Sequence, residues 1–332
     1  MSWIDEFVSS LFPLDASMQR IEIAYGLKHQ NLPRSIFKYR EVNVNSIKNL
    51  ENDTVWIADP RSFNDPYDCS SFIDFDELSK DLYRNMPDQL RGVLLKTLSH
   101  DRIVEIQATL RESADPETLF YDLMLEGQSV EKAAGFKNAL KGAVRAMYED
   151  MVARSSDGFK SAFKVCSFSE RVDSTLMWAH YANYHKGFCV EYSICNLPHM
   201  HHLCRFLYPV IYSDSPFNAT ENVRRVGKPE FNNLYLNKAG LIKSNDWHYE
   251  REWRLIFSNG IIASEQAYPV PRPSTVYLGS HISKDDQAKI EEICKIKGIQ
   301  VRKMKHASGS FSMEPLTVEE ADRKFFRKQP SA

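Results

Sequence analysis

The chain has 332 residues, 43% of them hydrophobic and 26% charged, a globular composition with ample capacity to bury a core. Its formal net charge of -2 gives no overall positive field to hold nucleic acid or an anionic membrane, so charge indicates neither as a partner. No apolar stretch approaches the roughly 18 residues of a membrane span, and Asp5 and Glu6 stand where a signal peptide would be basic, so a cytoplasmic protein is expected.

Residues 1 to about 33 mix short apolar and polar runs and break at Asn31-Leu32-Pro33, which reads as an accessory N-terminal segment. Ile36 to Arg40 reads as a strand, Val44 to Leu50 as a short helix, and Thr54 to Ala58 as a second strand that Pro60 ends. Phe63-Asn64-Asp65-Pro66-Tyr67-Asp68 is turn chemistry. From about 75 to 163 the pattern changes to long, charged, helix-favouring stretches, a helical insertion. Lys164 to Ser169 returns to a strand, and Ser174 caps a helix running from Thr175 to about His185, with Gly187 as its left-handed stop. Phe188 to Tyr192 alternates, with Phe188, Val190 and Tyr192 on one face and Cys189 and Glu191 on the other. Further strands are expected at Leu207 to Tyr212, Trp253 to Phe257 and Thr275 to Leu278. An amphipathic helix follows over Asp285 to Lys297, capped by Gly298, and then a last strand from Ile299 to Met304. Arg323 to Ala332 reads as a frayed tail. Cys69, Cys166, Cys189, Cys195, Cys204 and Cys294 form no C-x-x-C pair and are read as reduced thiols without a structural metal.

Two blocks concentrate the polar chemistry. In Leu176 to Tyr192, Met177, Trp178, Tyr181 and Tyr184 form an aromatic-rich helix surface, while His180 and His185 stand apart as a general base, a metal ligand or simply cations at a helix C-terminus. In Tyr249-Glu250-Arg251-Glu252-Trp253-Arg254, a helix reading gives an ordinary i,i+4 Glu250–Arg254 pair, whereas the strand reading, favoured because Leu255-Ile256-Phe257 continues it, puts Glu250, Glu252 and Arg254 on one face. Two carboxylates so placed push one pKa upward while Arg254 keeps the other ionised. Arg40, closing the first strand beside Tyr39, either grips a phosphate or carboxylate or is a solvated surface arginine. Asn64, Asp65 and Asp68 either bind a divalent cation through oxygen or build an Asx-turn.

Phe37-Lys38-Tyr39-Arg40, Ser62 to Asp68, Cys166 to Ser169, Met177-Trp178-Ala179-His180-Tyr181 with His185-Lys186-Gly187, and Tyr249 to Arg254 together resemble a bacterial family catalogued as domain of unknown function 2971, over roughly residues 35 to 305. More distantly, the order of elements is similar to the ADP-ribosyltransferase superfamily, although its Ser-Thr-Ser strand motif is missing. That resemblance implies that Tyr39 and Arg40 anchor NAD and that Glu250 or Glu252 is the catalytic glutamate, holding a ribose hydroxyl and stabilising the oxocarbenium-like centre as nicotinamide departs. A role as a toxin or defence effector is implied by the resemblance alone.

The expectation is therefore an α+β fold with a central mixed or antiparallel sheet, split as in ADP-ribosyltransferases. One domain spans 34–310, with a helical insertion and a C-terminal tail at 311–332. Glu252, Glu250 and His180 are the candidate catalytic residues, and Tyr39, Arg40, Trp178, Tyr181, Asn64 and Arg254 the candidate NAD-binding ones. NAD is the expected substrate, a dinucleotide whose ADP-ribosyl group passes to a protein, nucleic acid or water acceptor, with no metal expected. One rival is a metal-dependent phosphodiesterase or nuclease using Asp65, Asp68, His180 and Glu191. The other is a non-catalytic ligand-binding or sensing module.

Overall fold

A computed structural model describes residues 2–89, 99–125, 130–225 and 227–326. The chain divides into two compact units, Met1–Ser70 with Phe159–Phe217 and Pro229–Ala332, and Ser71–Gly158 with Asn218–Lys228.

The first unit is α+β. Its elements include helix α1 (Trp3–Leu11), helix α2 (Ile21–Gln30), strand β1 (Ser35–Arg40), helix α3 (Val44–Glu51), strand β2 (Thr54–Ile57), strand β3 (Phe163–Ser169), helix α4 (Thr175–Tyr181) and strand β4 (Phe188–Ser193). There follow β5 (Leu207–Pro209), β6 (Ile211–Ser213), β7 (Ile242–Ser244), β8 (Glu252–Ser258), β9 (Gln266–Pro269), β10 (Thr275–Leu278), α5 (Lys284–Lys297), β11 (Gln300–His306), β12 (Met313–Leu316) and α6 (Val318–Phe326). Eight strands form one sheet in the order β12-β11-β10-β4-β1-β3-β8-β5. All its pairs are antiparallel except β10 with β11, which α5 connects.

Period-two alternation sorts the side chains. Ile36, Cys166, Phe168, Val190, Tyr192, Trp253, Leu255 and Val276 turn to one face, where Ile47 and Leu50 of α3 and Ile290 and Cys294 of α5 complete the main apolar core. The opposite face carries Phe37, Tyr39, Cys189, Tyr277 and Met304, covered by Met177 and Trp178 of α4. Further along the same face, β8 presents Glu252 and Arg254, both buried.

Several boundaries depart from the sequence reading for identifiable reasons. The N-terminal 33 residues lie within the first compact unit, where Trp3 stacks on Trp253 at 6.1 Å between centroids and Lys28 is fully buried. The second strand, β2, pairs with β9, and Ala58 just after it bridges to Val165 of the main sheet through hydrogen bonds of 2.8 and 2.9 Å. Helix α4 ends at Tyr181 rather than near His185, because Asn183, Tyr184 and His185 adopt left-handed φ values of 45°, 54° and 66°. Gly187 is not the left-handed stop. It is glycine because a Cβ there would lie 2.0 Å from the Arg40 carbonyl oxygen. The stretch 207–212 divides at Val210, with β5 in the main sheet and β6 paired to β7. The expected tail at 311–332 begins with β12, an edge strand on β11, and α6; residues 327–332 lie outside those described.

The second unit is built around helices Phe75–Gln89, His100–Glu112 and Pro116–Met124 and most of Val130–Ser161. Tyr83, Ile106, Leu110, Phe120 and Tyr121 form its core, with the Tyr83 and Tyr121 hydroxyls hydrogen-bonded at 2.7 Å. Arg224 joins it through Asp81 at 2.6 Å.

Candidate functional site

Strands β1 and β3 pair only at Phe37 and Ser169 and then part. Into the gap Lys38 sends its ammonium, which donates to the Ser167 carbonyl at 2.6 Å in place of a lost ladder bond. The opening is a pocket of about 170 Å³ lined by Lys38, Tyr39, Asn64, Asp68, Ser167, Ser169, Met177, Tyr181, Lys243, Glu250 and Glu252, among others.

Its floor is a network of buried charges. The Lys243 ammonium donates to Glu250 Oε2 at 2.5 Å and Glu252 Oε2 at 2.9 Å, with Asp68 at 3.7 Å. Arg254, with no exposed surface, gives Nε to Glu252 Oε1 at 2.7 Å and Nη2 to Asp68 Oδ2 at 2.7 Å, and its Nη1 reaches the Gly240 carbonyl at 2.9 Å. From α4, the Tyr181 hydroxyl donates to Glu250 Oε1 at 2.7 Å.

Backbone geometry brings the two glutamates together. Glu250 ends a 3₁₀ turn over Asn245–Glu250, Glu252 opens β8, and Arg251 between them is left-handed at φ 44°. The Ser169 hydroxyl anchors this corner by donating to the Glu250 carbonyl at 2.6 Å, and the Glu252 N–H donates to the Tyr212 hydroxyl at 2.9 Å. A continuous strand through 250 does not form, yet both carboxylates still reach one ammonium. Single left-handed non-glycine residues are costly and cluster at functional sites.

The same network drives the two carboxyls apart in acidity. Burial raises the Glu250 pKa, the Glu252 charge adds to it, and Lys243 only partly opposes the rise. At Glu252 burial works the same way, but Arg254 and Lys243 overcome it and hold the group ionised, well below the ordinary glutamate value. Burial pushes the Lys38 ammonium down and, with Glu250 beside it, the Tyr181 hydroxyl up.

The pocket gathers Glu250, Glu252, Tyr39, Tyr181 and Asn64 from the candidate residues, with Arg254 bonded directly beneath. It does not gather three others. Arg40 follows Tyr39 in β1, so its side chain leaves the opposite face of the sheet from Glu252 and lines a separate cavity. Trp178 is fully buried beside the pocket, its indole N–H donating to the Val172 carbonyl at 2.7 Å. His180 is exposed, its ring 6.3 Å from that of Trp247 and 6.5 Å from that of Tyr249, and it is not part of the lining. The oxygen and imidazole set expected of a nuclease is also dispersed: Asp65 caps a turn at the Tyr67 N–H, Asp68 pairs with Arg254, and Glu191 accepts from the Tyr277 hydroxyl at 2.9 Å. Among the described residues no group of three or more His, Cys, Asp or Glu side chains is arranged to hold a metal ion.

Sequence reasoning missed Lys243 and Lys38. Both stand in short strands beside apolar neighbours, in Leu241-Ile242-Lys243 and Ile36-Phe37-Lys38. A buried lysine in such a run needs a partner, which is the signal that would have found them.

No curated protein and no solved structure matches the chain. Residues 177–255 match the model of a family described as protein of unknown function (DUF2971), a stretch shorter than the 35–305 its motifs suggest but one that holds Tyr181, Lys243, Glu250 and Glu252 of the pocket and Arg254 beneath it.

Proposed function

We propose that the pocket between β1 and β3 is the active site of an enzyme that cleaves an N-glycosidic bond, with the nicotinamide riboside end of NAD as its substrate, in the manner of ADP-ribosyltransferases. The observation that carries this reading is the glutamate pair bridged by Lys243, one carboxyl raised in pKa and the other held ionised. Paired carboxyls with divergent acidity are how glycosyl-transferring sites divide their labour. Glu252, fixed as an anion by Arg254, supplies charge opposite the oxocarbenium-like centre that develops as the C–N bond breaks and its electron pair leaves with nicotinamide. Glu250, closer to neutrality in its pKa, accepts the proton of the incoming acceptor hydroxyl or water. Tyr39 and Tyr181 line the pocket and supply ring surface to the substrate. The volume of about 170 Å³ suits the ring end of the dinucleotide rather than the whole molecule.

Incubation of the protein with NAD is expected to release nicotinamide, and Glu252→Gln to lower that release at least 100-fold. Absence of release, or equal release by Glu252→Gln, defeats the proposal. A sensing module is the second reading, favoured because Lys243 and Arg254 already satisfy the Glu252 carboxylate. It predicts that NAD binds without turnover and that Glu252→Gln alters affinity alone.

A further inference from the structure

Arg40, which the glutamate pocket leaves out, lines a cavity of about 470 Å³ built from α3, β2 and the end of β1. Its carbonyl is clamped from behind by Gly187, where a Cβ would come within 2.0 Å. Its guanidinium Nη2 is buried and has no hydrogen-bond partner among the described residues. An unsatisfied buried donor of this kind is costly.

The rest of the lining favours an oxygen-rich ligand. Asn45, Lys48 and Asn49 recur at helical spacing and share the face of α3 that turns to the cavity, where the C-cap residue Asn52 joins them, while Ile47 and Leu50 turn to the core. Trp56 alternates with buried Val55 and Ile57 in β2 and stays 44% exposed on the cavity side. Arg40 and Lys48 are the charged residues of the lining, which contains no carboxylate. Two cations select an anion, side-chain amides match vicinal hydroxyls, and an exposed indole stacks on a sugar ring.

We propose that this cavity binds a phosphorylated sugar, with Arg40 and Lys48 on the phosphate, Trp56 against the ring and the α3 asparagines on its hydroxyls. It does not depend on the glycosidic reading, because the cavity and the glutamate pair are on opposite faces of the sheet.

Calorimetric titration of the full chain with ribose 5-phosphate tests it, with ribose and inorganic phosphate as the two halves and AMP as a competitor. Ribose 5-phosphate is expected to bind more tightly than either half. Arg40→Gln should weaken it at least 10-fold and Trp56→Ala at least 3-fold, while Glu252→Gln leaves it unchanged. Displacement by AMP extends the site to nucleotides, and failure of AMP to compete confines it to free sugar phosphates. No binding of ribose 5-phosphate, or undiminished binding by a folded Arg40→Gln, overturns the proposal. If Arg40→Gln does not fold, Lys48→Gln at the exposed helix surface replaces it, with a 3-fold loss expected and no loss counting against the site.

Discussion

Strands β3 and β8 present Cys166, Phe168, Trp253 and Leu255 on one side and Ser167, Ser169, Glu252 and Arg254 on the other. Both sides are buried, and consecutive residues of one strand therefore obey different physics. The apolar side is held by area and close packing, and is tolerant of which apolar shape fills it. The charged side is held by reciprocal pairing, where losing one member strands the others without water or partner. A buried network of this kind is weak evidence for stability.

Adjacent positions in β8 provide the sharpest contrast. Arg254→Met leaves Glu252 and Asp68 without their guanidinium and is expected to cost about 3–5 kcal/mol, measured by urea unfolding. Leu255→Ala on the other face is expected to cost about 3 kcal/mol by opening a cavity. If Arg254→Met proves nearly neutral, the charged face is not paired as described. Glu252→Gln should follow at about 2 kcal/mol, the loss of charge-assisted hydrogen bonds.

Lys28 is the control for Lys243. Its ammonium is also buried, but among the described residues it meets the Cys204 and Arg205 carbonyls, at 3.0 and 2.8 Å, and the Tyr25 and Tyr208 rings. Burial drags its pKa from 10.5 to about 7. Between those values the unfolded chain binds the extra proton, so its contribution makes stability rise with pH above 7, by about 1.4 kcal/mol per unit. Below pH 7 that contribution is flat. Lys28→Met should remove the slope in unfolding curves taken from pH 7 to 10, and a slope left intact would place the titration elsewhere. The smallest effect is expected at Glu250→Gln, under about 1 kcal/mol. The raised Glu250 pKa means that the native state gains little from its charge, so a stability loss matching that of Glu252→Gln would remove the asymmetry between the pair.

Apolar and aromatic runs made much of the sheet legible: β1, β3, β4, β8 and β10 stand where the sequence reading put strands, as does α5 with Gly298 left-handed at φ 67°. Pairing was not legible, because β2 carries a good strand pattern but no signal that it would join β9. Within the site, the glutamates and Tyr181 were visible as a polar, aromatic cluster. Arg40 was misplaced although period two from Tyr39 already assigns it to the other face. The Arg251 corner left no trace in residue type, since an arginine is an unusual choice for left-handed backbone.

That corner has a wider consequence. Because a single residue separates 250 from 252, its dihedral angles set their spacing, with Ser169 and Tyr212 holding the backbone on either side, and the two acidic groups travel as a single module. Inserting or deleting one residue there would pull them apart while sparing the sheet, whereas glycine at 251 would ease the bend and loosen their mutual aim. The separation between the two acids is thus a local, heritable dial, adjustable without rebuilding the scaffold around it.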